Sequence, residues 1–419
     1  MPSQSSARGH SNLAAIKGLT YVMFAMFAMT TDSVGIIIPE IVKTFNLSLT
    51  AAGSFQYATM AGIAIAGFLL GHLADRYGRK RTIVIGLILF AAASYLFIAG
   101  NSFLFFSLLM GLSGIAIAIF KTGALALIGD ISRSTAEHTS IMNTVEGFFG
   151  VGSIVGPLLL SQLLNHGVPW QWLYVIAGSM CVLLILTALS VRYPARITTE
   201  SEQPSFGNVL AVARNRFVLL FSAGLFLYVA VEAAIYVWMP TLLAGYVGPS
   251  KWIATYSISI FFFLRAGGRF LGAWMLDRMS WSAVLTLCSG LILACFAVSI
   301  IAGVAWGVYS LPLSGLFMSV IYPTINSKGI SSVPKSEHGA AAGVLLFFTC
   351  LSAVLAPLGM GAVSDAFGGP IYGFALATGF AALLFGGLLL NSAFNPAAKV
   401  FERADQSDYA PKRNPKEHL

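Results

Sequence analysis

The stretch Gly71-His72-Leu73-Ala74-Asp75-Arg76-Tyr77-Gly78-Arg79-Lys80-Arg81 crowds charge into one short loop. It joins two apolar blocks at about 51–74 and 82–101. Basic residues at the edge of an apolar block have a simple reading as a stop signal for membrane insertion. That reading does not explain Gly71, placed just ahead of Asp75, or Gly78 inside a charged turn. Gly71 suits a close approach of two helices. Asp75 suits the N-terminus of a neighbouring helix, where a carboxylate is favoured. Arg76 and Arg79 suit acids on adjoining helices. Such a cluster holds one end of a helix bundle in one state and releases it in another.

The surroundings of the loop repeat its setting. The chain has 419 residues, of which 57% are hydrophobic and 10% charged. A soluble chain carries about 25% charged residues. The apolar blocks run to roughly twenty residues, enough to cross a hydrocarbon core as helices. This excludes a soluble enzyme, a secreted disulfide scaffold and a disordered chain. An outer-membrane barrel would show short alternating strands instead. The blocks fall at about 17–40, 51–74, 82–101, 103–129, 139–166 and 170–191, then 217–245, 252–276, 281–302, 304–328, 338–365 and 370–393. The expected fold is an all-α membrane protein with twelve transmembrane helices in two pseudo-symmetric six-helix bundles. The bundles span 17–191 and 217–393, joined by a polar linker at 192–216, with tails at 1–16 and 394–419.

Lys and Arg set the orientation. With both termini in the cytoplasm, the 24 basic residues lie on the cytoplasmic side, apart from Lys43, Lys251 and the three within spans, Lys121, Arg265 and Arg269. The net charge of +8 is therefore a topology signal. Its natural partner is the anionic lipid headgroup, not nucleic acid. The four cysteines lie inside apolar blocks without metal-ligand spacing and read as small hydrophobes. The polar run Met1 to His10 and the length of the first block imply no cleavable signal.

The second half echoes the loop at the same place, as Gly272-Ala273-Trp274-Met275-Leu276-Asp277-Arg278, without the trailing basic residues. The Gly71–Arg81 run resembles the loop signature of the major facilitator superfamily. The resemblance covers about 17–393 and implies two repeats that rock about a site near the midplane. Three later stretches resemble the fucose–galactose–glucose:proton symporter group: Tyr228–Trp238, Ser314–Ile330, and Ala356-Pro357 to Asp365. The first half departs from that group. Asp32 lies further ahead of Pro39, and Lys121 stands where fucose members carry an acid.

Five ionisable residues lie deep in the spans: Asp32, Lys121, Glu146, Glu232 and Arg265. Each costs roughly 2.5–3.5 kcal/mol at the bilayer centre on insertion scales, so each should face a cavity or a partner. Asp32 and Glu232 each lie about fifteen residues into their spans, about 22 Å from the cytoplasmic end. Lys121 and Glu146 match in depth on consecutive spans and are expected to pair. A carboxylate that changes environment as bundles rock binds and releases a proton, which makes Asp32, Glu146 and Glu232 the coupling candidates. Sugars stack on rings and use hydroxyls for hydrogen bonds. The binding candidates are Gln56, Tyr57, Lys121, Asn143, Tyr228, Tyr236, Trp238, Arg265, Tyr322 and Asn326. For the aromatics, packing or an interfacial belt is the competing reading. The gating candidates are Gly71, Asp75, Arg76, Gly78, Arg79, Asp277 and Arg278. Gly150, Gly152, Gly156 and Pro157 resemble a weak form of the glycine–proline motif of facilitator antiporters.

The leading expectation is a secondary active transporter that moves a small polar solute, a sugar or sugar derivative, by proton-coupled alternating access. The inner membrane is its expected location. Lys121 and Arg265 motivate an organic anion or zwitterion as the alternative, and the fifth-span glycines a proton-coupled efflux antiporter. A receptor or scaffold would need neither the repeat nor the buried charges. No phosphate-binding Gly-x-x-x-x-Gly-Lys-Ser/Thr loop and no nucleophile–base set is present, so ATP-driven transport and enzymatic activity are disfavoured. The expected partners are the solute, protons and the lipid bilayer, with no cofactor and no metal, and the chain is expected to act as a monomer.

Overall fold

The computed structural model describes residues 4–70, 77–131, 135–193, 212–334, 338–397 and 400. Among them the regular structure is helical. The first half comprises α1 (Gln4–Thr31), α2 (Val34–Phe45), α3 (Leu49–Ala52), α4 (Ser54–Leu70), α5 (Arg79–Leu96), α6 (Phe103–Ile131), α7 (Thr135–Asn165) and α8 (Gln171–Ser190). The second begins with α9 (Arg216–Ala233), a π-helical turn (Ala234–Trp238), α10 (Met239–Leu243), α11 (Lys251–Thr255) and α12 (Ser257–Leu276). It continues with α13 (Trp281–Ile301), α14 (Val304–Met318), α15 (Ile321–Ile330), α16 (His338–Phe367) and α17 (Pro370–Phe394).

The boundaries follow local chemistry. Asn215 caps α9 by accepting from Phe217 N at 2.9 Å, and Ser280 caps α13 by accepting from Ala283 N at 3.3 Å. Gly78 stands at φ 86°, a conformation that side chains rarely adopt, and α5 starts directly after it. α1 begins at Gln4, ahead of the expected block at about 17.

Nine stretches among the described residues are long and apolar enough to cross a membrane. α4 falls short with 17 residues. α5 opens on Arg79-Lys80-Arg81, and α12 carries Arg265 and Arg269. With these three the helix order agrees with the expected two sets of six.

Successive rods alternate in direction. The end that carries Tyr193 and Val212 is the linker end, and the opposite end the far end. A buried cluster around Phe24, Phe27, Phe90 and Phe120 belongs to the first half alone. A larger cluster is shared: Val34, Ile38, Phe55 and Trp170 of the first half join Trp238, Met239, Phe261 and Met360 of the second.

The halves close against each other at the far end. The Asp365 carboxylate accepts from Leu49 N and Thr50 N, both at 2.7 Å, and so caps the short α3 from the opposite half. Gln162 Nε2 donates to the Tyr256 hydroxyl at 2.9 Å, and Ser161 Oγ to Thr255 O at 3.1 Å. Ser259 Oγ donates to Ile154 O at 3.1 Å. At Gly35 the α2 backbone lies on the π turn so closely that a Cβ would collide with Tyr236 O. Among the described residues, no hydrogen bond crosses between the halves at the linker end.

Candidate functional site

The first rod breaks where its charge lies. α1 ends at Thr31 and α2 starts at Val34, leaving Asp32 and Ser33 between them. The break has no glycine or proline. Instead the Thr31 hydroxyl donates to Phe27 O at 3.2 Å and the Ser33 hydroxyl to Met29 O at 2.6 Å. Such local bonds compete with the helical ladder. The Asp32 carboxylate accepts a hydrogen bond from the Ser153 hydroxyl of α7.

The seventh rod carries the matching charge. Glu232 is buried in the last turn of α9, directly before the π turn. It forms an ion pair with Arg265 of α12. The Arg265 guanidinium also lies 6.0 Å from the Phe262 ring centroid, within electrostatic reach of Asp32 and Glu146. One turn before Glu232, the buried Tyr228 hydroxyl donates to Met318 O at 3.1 Å, where α14 stops. The Tyr228 and Tyr322 rings lie 6.1 Å apart. Three interrupted rods, the first, seventh and tenth, thus converge on the charges. Irregular backbone at membrane depth is tolerated only inside protein or against a water-filled cavity, and π turns concentrate at functional sites.

The fifth rod supplies one wall. Glu146, Phe149 and Ser153 recur at helical spacing on one face of α7. Lys121 Nζ stands 5.5 Å from the Phe149 ring centroid. Lys121 is half-buried, within electrostatic reach of Asp32 in its own half and of Cys350 in the other. The expected Lys121–Glu146 ion pair does not form: the two side chains are not paired, and Glu146 is exposed. The reason is packing: α7 lies along α1 and meets α6 only lightly. Gly152 and Gly156 allow that packing, their α carbons lying against the backbone at Ala25 and Met29. Glu146 is exposed and lies within electrostatic reach of Arg265 and Tyr322 in the other half.

Residues 20–357 match the profile of the Major Facilitator Superfamily. The chain belongs to that superfamily. Members are membrane transporters, so this facilitator is a multi-pass membrane protein and not an enzyme. It is 23% identical over 330 residues to the protein TsgA homolog of Buchnera aphidicola subsp. Baizongia pistaciae, covering 78% of this chain and 83% of the relative. It is 25% identical over 389 residues to the L-fucose-proton symporter of Escherichia coli K12, covering 83% of this chain and 86% of the relative. A variant of the nucleoside transporter NupG has the same fold, with a TM-score of 0.75 at 14% identity, over 90% of this chain and 99% of that one.

The other residues singled out in the sequence of this facilitator fall into separate places. Tyr57 and Trp238 meet at the far-end closure. The Tyr57 hydroxyl and the Trp238 indole N–H both donate to Pro357 O, each at 3.1 Å. Gln56, next to Tyr57 in the chain, is fully buried, and its side-chain amide has no hydrogen-bond partner among the described residues. Tyr236 is half-buried in the π turn, and Asn326 is half-buried one turn after Tyr322 on α15. The Asn143 side chain lies outside the described set, as do residues 71–76 with Gly71, Asp75 and Arg76. Of the loop, Arg79 Nε pairs with Asp130 Oδ2 at 2.8 Å, an acid on the adjoining α6. In the echo, Arg278 lies 4.5 Å over the Trp274 ring, while Asp277 is exposed.

Three features escaped the sequence reading. Ser153 is one of many serines in apolar spans, and its position seven residues after Glu146 was the available signal. The π turn leaves no mark in composition. Asp365 closes a stretch that resembles the symporter group, but its partners, two backbone N–H groups some three hundred residues away, carry no sequence signature.

Proposed function

We propose that this facilitator is a proton-coupled secondary active transporter of a small polar solute, a sugar or sugar derivative, working by alternating access in the bacterial inner membrane. The observation that carries the reading is the charge cluster at three helix interruptions: Asp32 on Ser153, and Glu232 on Arg265, between two halves closed at one end. The similarity to a fucose-proton symporter and a nucleoside transporter supports a polar, hydroxyl-rich solute. Both bundles, 17–191 and 217–393, move as bodies about this cluster, with the 192–216 linker and both termini in the cytoplasm. The distribution of Lys and Arg supports that orientation. The far end is then the periplasmic one, and the arrangement is inward-open.

In this reading Arg265 answers the protonation of its neighbours. When Glu232 is ionised, it holds Arg265. Protonation of Glu232 removes one charge of the pair and leaves Arg265 to Asp32 and to the solute. A buried charge left without its partner is strongly unfavourable, so proton and solute occupancy become linked. The loop from Gly71 to Arg81 gates the cytoplasmic side, with Arg79 anchored on Asp130.

The test is uptake into proteoliposomes containing the purified protein. An inward proton gradient should drive accumulation of a sugar or sugar derivative, and collapsing it with a protonophore should abolish accumulation. Accumulation that ignores the proton gradient and follows sodium would overturn the coupling.

A further inference from the structure

The two deep cations differ in what neutralises them. Arg265 has Glu232. Lys121 has no carboxylate partner among the described residues. Its near neighbour is the face of Phe149, at 5.5 Å, and a ring is a weaker counterpart than an anion. Asp32 lies within electrostatic reach but its carboxylate is engaged by Ser153. The Lys121 ammonium also acts on Cys350 of α16, on the opposite side of the interface. Lys121 is half-buried, and its Nζ lies over Phe149 on the α7 face that also carries Ser153, the hydrogen-bond partner of Asp32, which sets the ammonium beside the charge cluster. A cation held there in an apolar span is costly unless something supplies the countercharge. Tyr322 and Asn326 of α15 stand on the second-half wall, half-buried, with a ring, a hydroxyl and an amide for a polyol.

We propose that Lys121 receives a carboxylate of the solute, and that the transported compound is a sugar acid: a hydroxyl-rich monocarboxylate. This rests on the reading of the chain as a proton-coupled transporter of sugars or their derivatives, and it names the class within that reading. The solute then carries its own anion to Lys121, while its hydroxyls meet the Tyr322 hydroxyl and the Asn326 amide of α15. The coupling proton goes to the Asp32–Glu232–Arg265 group.

The test uses purified protein, as wild type, Lys121→Met and Lys121→Arg, with D-galacturonate, D-gluconate, D-galactose and lactate as probes of binding. Either sugar acid should bind wild type at least tenfold more tightly than galactose, and more tightly than lactate. Lys121→Met should lose at least tenfold in affinity for the acid and little for galactose. Lys121→Arg should keep affinity within a few fold. Galactose binding as tightly as the acids, lactate binding best, or acid binding indifferent to Lys121→Met overturns the proposal. Should Lys121→Met fail to fold, Cys350 reports on wild type. It is half-buried, whereas Cys181, Cys288 and Cys295 are buried. A sugar acid should slow its alkylation and galactose should not; equal slowing by both counts against the site. Proteoliposomes separate the two claims. Accumulation of galactose alone sinks the sugar-acid site and leaves the transport reading intact. Tight sugar-acid binding without gradient-driven accumulation sinks the transport reading and leaves the site.

Discussion

Gly35 is the position where a single methyl group should change which end of the protein is open. Its α carbon lies on the π turn of the opposite half, and a Cβ would collide with Tyr236 O and come within 3.0 Å of Val237 O. Both obstacles are backbone atoms, which cannot swing aside as a side chain would. Overpacking of this kind costs about 1–3 kcal/mol. In Gly35→Ala the cost falls only on the state in which α2 touches the π turn, so the far-open state should gain by the same amount. At 1.4 kcal/mol per tenfold, the far-open population should rise about 5- to 150-fold while it remains minor. Gln56 supplies the reporter because it is only 1% exposed. In a Gln56→Cys, Cys350→Ser background, an impermeant maleimide added from the far side should label in proportion to the open population. Gly35→Ala should raise the labelling rate by that factor. A lower melting temperature with unchanged labelling would show that Gly35 matters for packing alone, and would refute the reasoning.

The remaining predictions concern the same closure and cluster. Glu232→Gln and Arg265→Met should each destabilise the protein by about 3–5 kcal/mol, since each leaves a buried charge without its partner. The double variant should recover most of the loss in a thermal melt; additive losses would contradict the pair. Asp365→Ala should remove the carboxylate that caps α3 across the interface, a contribution of about 0.5–2 kcal/mol. Labelling at Gln56→Cys should then rise several-fold, and an unchanged rate would show that the cap does not hold the far end shut.

Much of this architecture was legible in the sequence, because membrane depth is written in block length and charge. Apart from the start of α1 at Gln4, most helix ends fall within a few residues of the apolar blocks, and Asp32, Glu232 and Arg265 stood out as charges with no reason to face lipid. The Lys121–Glu146 pair failed for a definite reason. Depth along a helix is readable from residue number, but neighbourhood is not, and the fifth rod lies on the first rather than beside the fourth. The interruptions were hidden for a similar reason. Pro39 sits inside α2 and Pro312 inside α14 without ending either. The breaks fall instead at Asp32–Ser33 and Ser319–Val320, where side chains and a distant tyrosine satisfy the freed backbone. The residues that hold the far end closed work through carbonyls and N–H groups, which every sequence contains and none advertises.

The central claim is that Asp32 and Glu232 link proton movement to solute movement, and one comparison tests it most directly. Asp32→Asn and Glu232→Gln, each reconstituted in proteoliposomes, should be assayed for accumulation against a solute gradient and for exchange of internal for external solute. The account predicts that at least one variant loses accumulation while exchange continues, because binding and rocking survive when only coupling is removed. If both variants still concentrate the solute under an inward proton gradient, neither carboxylate couples transport and the account is wrong.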